Sequence, residues 1–201
     1  LLEKEIFLYE NGSCAAFSNL FRFKLLYMKG GYWADLDLIN VKLIDFKEDY
    51  VFVSEPTPDY KSQVPTTCLI KMPKHSKEAK KAVELCYKYK DDVINNRLKW
   101  GLGPKILNII IENYNLQNYV KTWTTVCSCH PNDTASLFNV NYKNNRLNNN
   151  LIINSIINKL EDIPREMYCV HLWNKVINEH SLLKYLNKEC FFGKLLEKSN
   201  F

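Results

Sequence analysis

Apolar residues follow two different spacings in this chain, and segments of the two kinds alternate along it. In residues 13–29 they recur every three or four positions, which is the spacing of an α-helix. Residues 32–39 form a nearly continuous apolar run, which is typical of a buried strand. The same patterns predict strands at 6–9, 50–53 and 67–71, a strand-like segment at 119–126, a strand or turn at 167–173, and helices at 76–90, 105–114, 151–160 and 182–196. This alternation predicts an α/β fold in a single domain.

The helix predicted at 13–29 has clear boundaries and an unusual composition. Ser13 is a suitable N-cap, and Gly30 and Gly31 end the helix. Apolar residues surround almost the whole helix, so we expect most of it to be buried. Arg22 lies inside this apolar helix, and a buried guanidinium needs a partner.

Composition and charge exclude several classes of protein. The formal net charge is +5, from 27 Lys and Arg against 22 Asp and Glu, and the basic residues are scattered. Because a nucleic-acid-binding protein concentrates its basic residues in a stripe or tail, we expect no nucleic-acid partner. No apolar run approaches the roughly 20 residues that span a membrane, so we expect no membrane span. Aromatic residues make up 13% of the chain, which predicts a packed core.

The cysteines give weaker information. There are 7, an odd number, and several lie within apolar runs, where Cys behaves as a small hydrophobic residue. Cys127, Cys129 and His130 resemble half of a zinc site, but no second pair of ligands follows, so we do not predict zinc. This usage favours a reducing compartment, and residues 1–6 do not resemble a signal peptide. We therefore expect a cytoplasmic or membrane-peripheral protein.

The most informative feature is the pair Asp35 and Asp37 within an otherwise apolar run. On one strand, side chains two residues apart point to the same face, with Cα atoms roughly 6.6 Å apart. Burying two like charges is costly, so the acids either lie at an exposed strand end or are neutralised by an arginine or a metal ion. Hard oxygen ligands suit Mg²⁺ or Mn²⁺. The acid pair alone does not separate these interpretations.

The surrounding sequence, residues 17–37, closely resembles the sugar-binding region of the D-x-D glycosyltransferases of the family-32 type. These include relatives of the initiating mannosyltransferases, the α1,4-galactosyltransferases and the large clostridial glucosylating toxins. Their pattern is a helix carrying S-D-x-x-R-x-x-x-L, then G-G, an aromatic residue and D-x-D. The matching positions in this chain are Ser18, Arg22, Leu26, Gly30, Gly31, Tyr32, Trp33, Asp35 and Asp37. Asn19 stands where the pattern has Asp.

Weaker matches extend the resemblance over about residues 7–175. Residues 53–55 fit the end of the next strand, Gly103 and Pro104 fit a helix start, and 170–175 resemble an H-x-W-N element. Family members begin with a strand of the I-P-K-x-I-H-x-I-W kind that helps bind the nucleotide base. This sequence begins downstream of such a strand. We therefore expect a GT-A-like catalytic domain over residues 1–201 that lacks the usual first nucleotide-binding strand.

The resemblance implies a fold, a reaction and a cofactor. The fold would be of the GT-A type, a mixed, mainly parallel sheet flanked by helices. The reaction would move a hexose from a UDP- or GDP-linked sugar to a glycan, lipid or protein acceptor, with retention of the anomeric configuration. The cofactor would be Mn²⁺ or Mg²⁺.

The resemblance also implies roles for individual residues. Asp37 would coordinate the metal, and Asp35 would contact the donor and help hold the metal. Arg22 would touch the donor sugar or its phosphates, or form an ion pair with Asp35. Ser18 and Asn19 would lie beside the donor sugar.

Two C-terminal residues have two interpretations each. His171 would complete the metal shell or be an ordinary buried histidine, and Trp173 would stack on a base or sugar or belong to the core. Glu55, Asp59 and residues 103–105 are candidates for the acceptor side because of their order along the chain.

Other functions fit these residues less well. A haloacid-dehalogenase-like phosphatase also carries D-x-D after an apolar strand, but Leu38 and Ile39 do not continue its signature. A glycosidase needs two facing carboxylates from separate elements, which a pair on one strand does not provide. A catalytically inactive sugar- or nucleotide-binding relative of the same fold is the alternative, since fold does not determine function and Asn19 departs from the pattern.

Overall fold

The structure is a computed structural model that describes residues 6–8, 12–95, 97, 101–126, 129–138 and 167–198. The chain divides into two compact units, each assembled from separate stretches of sequence. The first unit takes its described residues from Leu1–Asp35, Phe46–Ser54 and Val64–Lys121, and the second from Leu36–Asp45, Glu55–Gln63 and Thr122–Phe201. The prediction of a single catalytic domain stays a prediction.

Helices and strands both occur, which confirms the mixed composition predicted from the alternating patterns. The helices are α1 (Ala15–Lys29), α2 (Lys77–Ile94), α3 (Ile106–Asn113), α4 (Asn174–Glu179) and α5 (Phe191–Lys198). The strands are β1 (Gly31–Ala34), β2 (Leu38–Asn40), β3 (Val51–Pro56), β4 (Gln63–Met72) and β5 (Cys169–His171).

The strands form two small sheets. Three of them lie in the order β1-β4-β3, and β2 pairs with β5. The registered pairs, β1 with β4 and β2 with β5, are antiparallel. The expected mainly parallel sheet is not seen among the described strands, where the one parallel contact is an isolated bridge between Phe52 and Val120. A short hairpin explains part of this difference, because the six residues 57–62 that join β3 to β4 are too few for a parallel crossover.

The first unit is built around α1. One face of this helix enters a core shared with α2, α3 and the sheet, and Phe23 is completely buried there. Gly30 ends the helix at φ 67°, and a Cβ atom at Gly30 would lie 2.5 Å from the backbone nitrogen of Lys74, so no larger residue fits. The opposite face exposes Phe21, Leu25 and Met28, so the prediction that most of α1 is buried is only half right.

The second helix confirms its predicted start. The Ser76 hydroxyl caps α2 by accepting a hydrogen bond from the Ala79 N–H at 3.2 Å. The prediction of Ser13 as the N-cap of α1 is wrong by one residue, because Cys14 occupies the N-cap position. The Ser13 hydroxyl instead accepts from the Ala15 N–H at 3.3 Å.

Other predicted boundaries were wrong. Residues 6–8 are not in a strand, and 119–126 contain 3-10 turns at Gln117–Tyr119 and Trp123–Thr125. The helix predicted at 182–196 is a 3-10 turn, Leu182–Tyr185, followed by α5. The predicted helix at 151–160 and the Asn-rich loop at 139–150 lie outside the described residues.

The second unit has its own apolar core, formed by residues from β5, α4, α5 and the turn Pro131–Phe138. Members of this core include Cys129, Leu137, Phe138, Met167, Val170, Ile177, Leu182, Phe191 and Leu195. In the part of the chain that the structure describes, no helix combines the length and apolarity needed to cross a membrane.

The two faces of α1 give a matched test of the first core. We expect Phe23→Ala to lower the free energy of unfolding by about 3–5 kcal/mol, because it empties a fully buried site. Phe21→Ala removes a ring that is 37% exposed and lies beside the rings of Phe17 and Trp33, so we expect a loss of about 1 kcal/mol or less. Urea denaturation of both variants measures the difference, and equal losses would contradict this assignment of the faces.

Candidate functional site

The two acids do not lie on one strand, which corrects the prediction for residues 32–39. β1 ends at Ala34 and β2 begins at Leu38, so Asp35, Leu36 and Asp37 form the turn between them. The Leu36 side chain is fully exposed at this turn. Because one residue separates the two acids, the covalent chain itself keeps their carboxylates close together.

Asp35 is held by groups of the first unit. Its N–H donates to the carbonyl of Cys68 at 2.8 Å, which extends the β1–β4 pairing by one residue. Its Oδ1 accepts from Nη2 of Arg22 at 3.0 Å and from Nε1 of Trp33 at 2.7 Å. Two donors on one oxygen fix the orientation of this carboxylate.

Arg22 is the buried cation for which the sequence predicts a partner. It is 6% exposed, donates through Nη1 to the carbonyl of Thr67 at 2.6 Å, and lies 5.0 Å from the centre of the Trp33 ring. The predicted ion pair with Asp35 is therefore present. Arg22 joins α1 to β4 and to the acidic turn, so its position does not depend on a ligand.

Asp37 and His171 form the corresponding pair in the second unit. Leu38 is paired with His171 across the β2–β5 sheet, which brings Nε2 of His171 to 3.3 Å from Oδ1 of Asp37. The other oxygen, Oδ2, accepts from the N–H of Asn174 at 3.0 Å, and the carbonyl of Asp37 accepts from the N–H of Leu172 at 2.9 Å. His171 is 5% exposed.

The charge state of Asp37 follows from these contacts. Burial on its own raises the pKa of this carboxyl, but the hydrogen bond and charge of His171, together with the Asn174 N–H, outweigh burial and lower the pKa to about 2. Asp37 is therefore an anion at neutral pH, which is the form that binds a metal ion.

Trp173 lies on His171 and has an unusual backbone. The two ring centres are 4.0 Å apart, and Nε1 of Trp173 donates to the carbonyl of Cys129 at 3.1 Å. Trp173 adopts φ 55° immediately before α4, a left-handed conformation that is uncommon for a large side chain. These contacts favour the interpretation of Trp173 as part of the packing that fixes His171, and stacking on a base or sugar stays a prediction.

The set of donor atoms fits a divalent cation. Within the second unit, Oδ1 of Asp37 and Nε2 of His171 are two potential ligand atoms 3.3 Å apart, and Asp35 precedes Asp37 by two residues in the sequence. Two ligand atoms at right angles, each about 2.1 Å from an ion, are about 3 Å apart, which is near the 3.3 Å between Asp37 and His171. Two carboxylates with one imidazole suit Mn²⁺, and Mg²⁺ is the harder alternative.

The structure gives fewer contacts for the other residues predicted to belong to the site. Ser18 and Asn19 are half-buried on α1, respectively four and three residues before Arg22, and therefore on its side of the helix. Among the candidates for the acceptor side, Asp59 is exposed in the β3–β4 hairpin and accepts from the Thr57 hydroxyl at 2.7 Å. Lys105 lies over the ring of Tyr89. Their acceptor role stays a prediction.

Two contributors were not recognised from the sequence. The motif includes Trp33 only as an aromatic residue before the acids, yet its indole N–H donates to Asp35. The main-chain N–H of Asn174 binds Asp37, and a backbone donor has no sequence signal beyond its place after His171 and Trp173.

Comparisons of the chain with protein-family models, with curated proteins and with solved structures found no match.

Replacing the buried arginine tests the geometry of the first half of the site. We expect Arg22→Lys to lower the free energy of unfolding by about 1–3 kcal/mol, because one ammonium group cannot reach both the Thr67 carbonyl and Asp35 as the guanidinium fork does. Chemical denaturation measures the loss. The control is Arg97→Lys, since Arg97 is exposed and its pair with Asp92 at 3.1 Å is worth little. Equal effects at the two positions would show that Arg22 is not held as described.

Proposed function

We propose that this protein is a metal-dependent glycosyltransferase that moves a hexose from a nucleotide-diphosphate sugar to a glycan, lipid or protein acceptor. The observation that carries the proposal is the pair Asp37 and His171, with Oδ1 and Nε2 3.3 Å apart, in which Asp37 follows two residues after an Asp35 that is already fixed to Arg22. The motif resemblance predicted the same residues. The proposal includes a GT-A-type fold with a mainly parallel sheet, of which the described antiparallel strands would be a part.

The proposed metal ligands are Asp37, Asp35 and His171, and the ion would be Mn²⁺ or Mg²⁺. When bound, such an ion supplies Lewis-acid stabilisation of the negative charge on a leaving diphosphate. Asp37 contributes a carboxylate that is ionised at neutral pH. A divalent ion would offset the charges of the two carboxylates, which removes the repulsion between the acids.

The remaining residues act on the donor. Arg22 presents a fixed positive charge and a planar fork of donors on the side of α1 that also carries Ser18 and Asn19. In the proposed transfer, the bond from the sugar C1 to the diphosphate oxygen breaks and its electron pair leaves with the diphosphate. A bond from C1 to the acceptor hydroxyl oxygen forms on the same face of the sugar, and the hydroxyl proton is released.

The location proposed for this activity is the cytoplasm or the surface of a membrane. The described cysteines are free thiols, and all of them except Cys14 are buried, which suits a reducing compartment. Cys127 lies outside the described residues.

An inactive relative that binds a nucleotide sugar without transferring it is the second candidate. Asn19 favours it, because an amide replaces the carboxylate of the pattern and donates through Nδ2 to the Ala15 carbonyl within the helix. The two candidates share ligand binding and differ in turnover.

Thermal unfolding tests the shared part of both candidates. With Mn²⁺ and one of the UDP- or GDP-linked sugars at about 100 times its Kd, we expect stabilisation by about 2.7 kcal/mol, or roughly 5–10 °C in Tm. Asp37→Asn should lose this shift, since the variant removes the metal-binding charge. The control Asp91→Asn changes an exposed acid on α2 and should keep it. No shift with any nucleotide sugar in folded wild-type protein would contradict the proposal.

Release of free nucleoside diphosphate distinguishes the active transferase from the inactive relative. An active transferase releases it when a suitable acceptor is present, and slowly with water as the acceptor. Binding without any release, tested with the donor that gives the thermal shift and a panel of acceptors, would favour the inactive relative.

A further inference from the structure

A glycine outside the acidic site lies directly against a residue proposed to bind the donor. Gly103 belongs to a short π-helical turn, Gly101–Lys105, that leads into α3. A Cβ atom at position 103 would lie 2.9 Å from Oδ1, 3.1 Å from Nδ2 and 3.2 Å from Cγ of Asn19. The whole amide of Asn19 therefore lies against the backbone of Gly103.

The backbone conformation of Gly103 does not require glycine. Gly12, Gly30 and Gly31 have positive φ angles, and Gly103 does not. Within a helical turn, alanine is more favourable than glycine by about 1 kcal/mol. The advantage of glycine at this buried position is therefore space, and Asn19 occupies that space.

Asn19 is held on a second side by its own helix. Nδ2 donates to the carbonyl of Ala15 at 3.2 Å, and no hydrogen bond to Oδ1 is found among the described residues. Asn19 precedes Arg22 by three positions, so the two side chains lie on the same side of α1. The amide thus lies against Gly103 on the side of α1 that carries the guanidinium, and its Oδ1 accepts no hydrogen bond from the described residues.

We propose that Gly103 is a positioning residue for donor recognition, because its missing side chain lets the Asn19 amide present Oδ1 to a hydroxyl group of the donor sugar. This inference rests on the proposed function. It assigns Asn19 the role of a neutral hydrogen-bond acceptor for a sugar hydroxyl and makes Gly103 the residue of its turn that supports this acceptor. The sequence alone indicates Gly103 only as the start of a helix and as a candidate for the acceptor side.

The surroundings of Gly103 determine what an added methyl group would do. Leu102 is completely buried, and Ile106 and Leu107 at the start of α3 are buried in the same core, so the turn is anchored. The Asn19 amide is the far end of a short side chain on a half-exposed helix face and moves more easily than the anchored turn. Gly103→Ala is therefore expected to displace the amide and leave the fold intact.

The experiment compares Gly103→Ala, Asn19→Ala, the double variant and Pro104→Ala. Pro104→Ala is the matched control, because it alters the same turn without adding an atom against Asn19. Isothermal titration in Mn²⁺ measures the affinity for the nucleotide sugar and, separately, for the nucleoside diphosphate without sugar. We expect Gly103→Ala to weaken nucleotide-sugar binding by about three- to tenfold, the value of one hydrogen bond, and to leave diphosphate binding unchanged.

The double variant tests whether the two residues act as one unit. Without the Asn19 amide the added methyl group has room, so the double variant should bind the nucleotide sugar as Asn19→Ala does. The positioning role would be overturned if the affinity losses of the two single variants add in the double variant. It would also be overturned if Gly103→Ala leaves nucleotide-sugar binding unchanged.

A readout without ligand separates failure of this inference from failure of the proposed function. In protein labelled with ¹⁵N-asparagine, the side-chain NH₂ signal of Asn19 is the one that Asn19→Ala removes. We expect Gly103→Ala to shift this signal and Pro104→Ala to leave it in place. If the Asn19 signal does not move in Gly103→Ala, the positioning role is overturned, whatever the protein binds. If the signal moves but the folded wild-type protein binds no nucleotide sugar, only the donor assignment and the proposed function are overturned.

Discussion

Two carboxylates separated by a single residue repel each other, and each is stabilised by a group from elsewhere in the chain. At Asp35 this group is the guanidinium of Arg22, which is 3.0 Å away. At Asp37 it is the imidazole of His171, whose Nε2 is 3.3 Å away. The turn at 35–37 can form because two separate parts of the chain each supply one of these partners.

Much of the described structure serves to place these partners. Arg22 reaches Asp35 because α1 is anchored through Phe23 and Leu26 in the first core, and because Gly30 lets the chain reverse directly into β1. His171 reaches Asp37 because β5 pairs with β2, the strand that follows the acids. The left-handed backbone at Trp173 lets the chain turn from β5 into α4, and this start of α4 gives Asp37 the Asn174 N–H. Backbone strain of this kind is common beside functional sites.

The sequence predicted the elements whose signals are local. The spacing of apolar residues located α1, the hydroxyl of Ser76 marked the start of α2, and the pair Gly30-Gly31 marked the end of α1. The ion pair of Arg22 with Asp35 followed from the cost of burying a lone charge. Each of these rests on a single interaction that the neighbouring residues determine.

The errors arose where tertiary contacts decide the outcome. Leu36 continues the apolar run, so periodicity predicted one strand over 32–39, yet the side chain is fully exposed because the turn directs the flanking carboxylates to Arg22 and His171. The segment 119–126 has strand-like composition, but only Val120 finds a bridge partner. The closeness of Gly103 to Asn19 joins positions 84 residues apart, and no local pattern indicates it.

The central claim is that Asp35, Asp37 and His171 hold one divalent cation. Anomalous X-ray diffraction from crystals grown with Mn²⁺, recorded on both sides of the manganese absorption edge, tests it most directly. We expect one strong manganese peak about 2.1–2.3 Å from Oδ1 or Oδ2 of Asp37 and from Nε2 of His171, with Asp35 beside it. A folded protein that shows no manganese peak at these residues, or shows it elsewhere, would contradict the account.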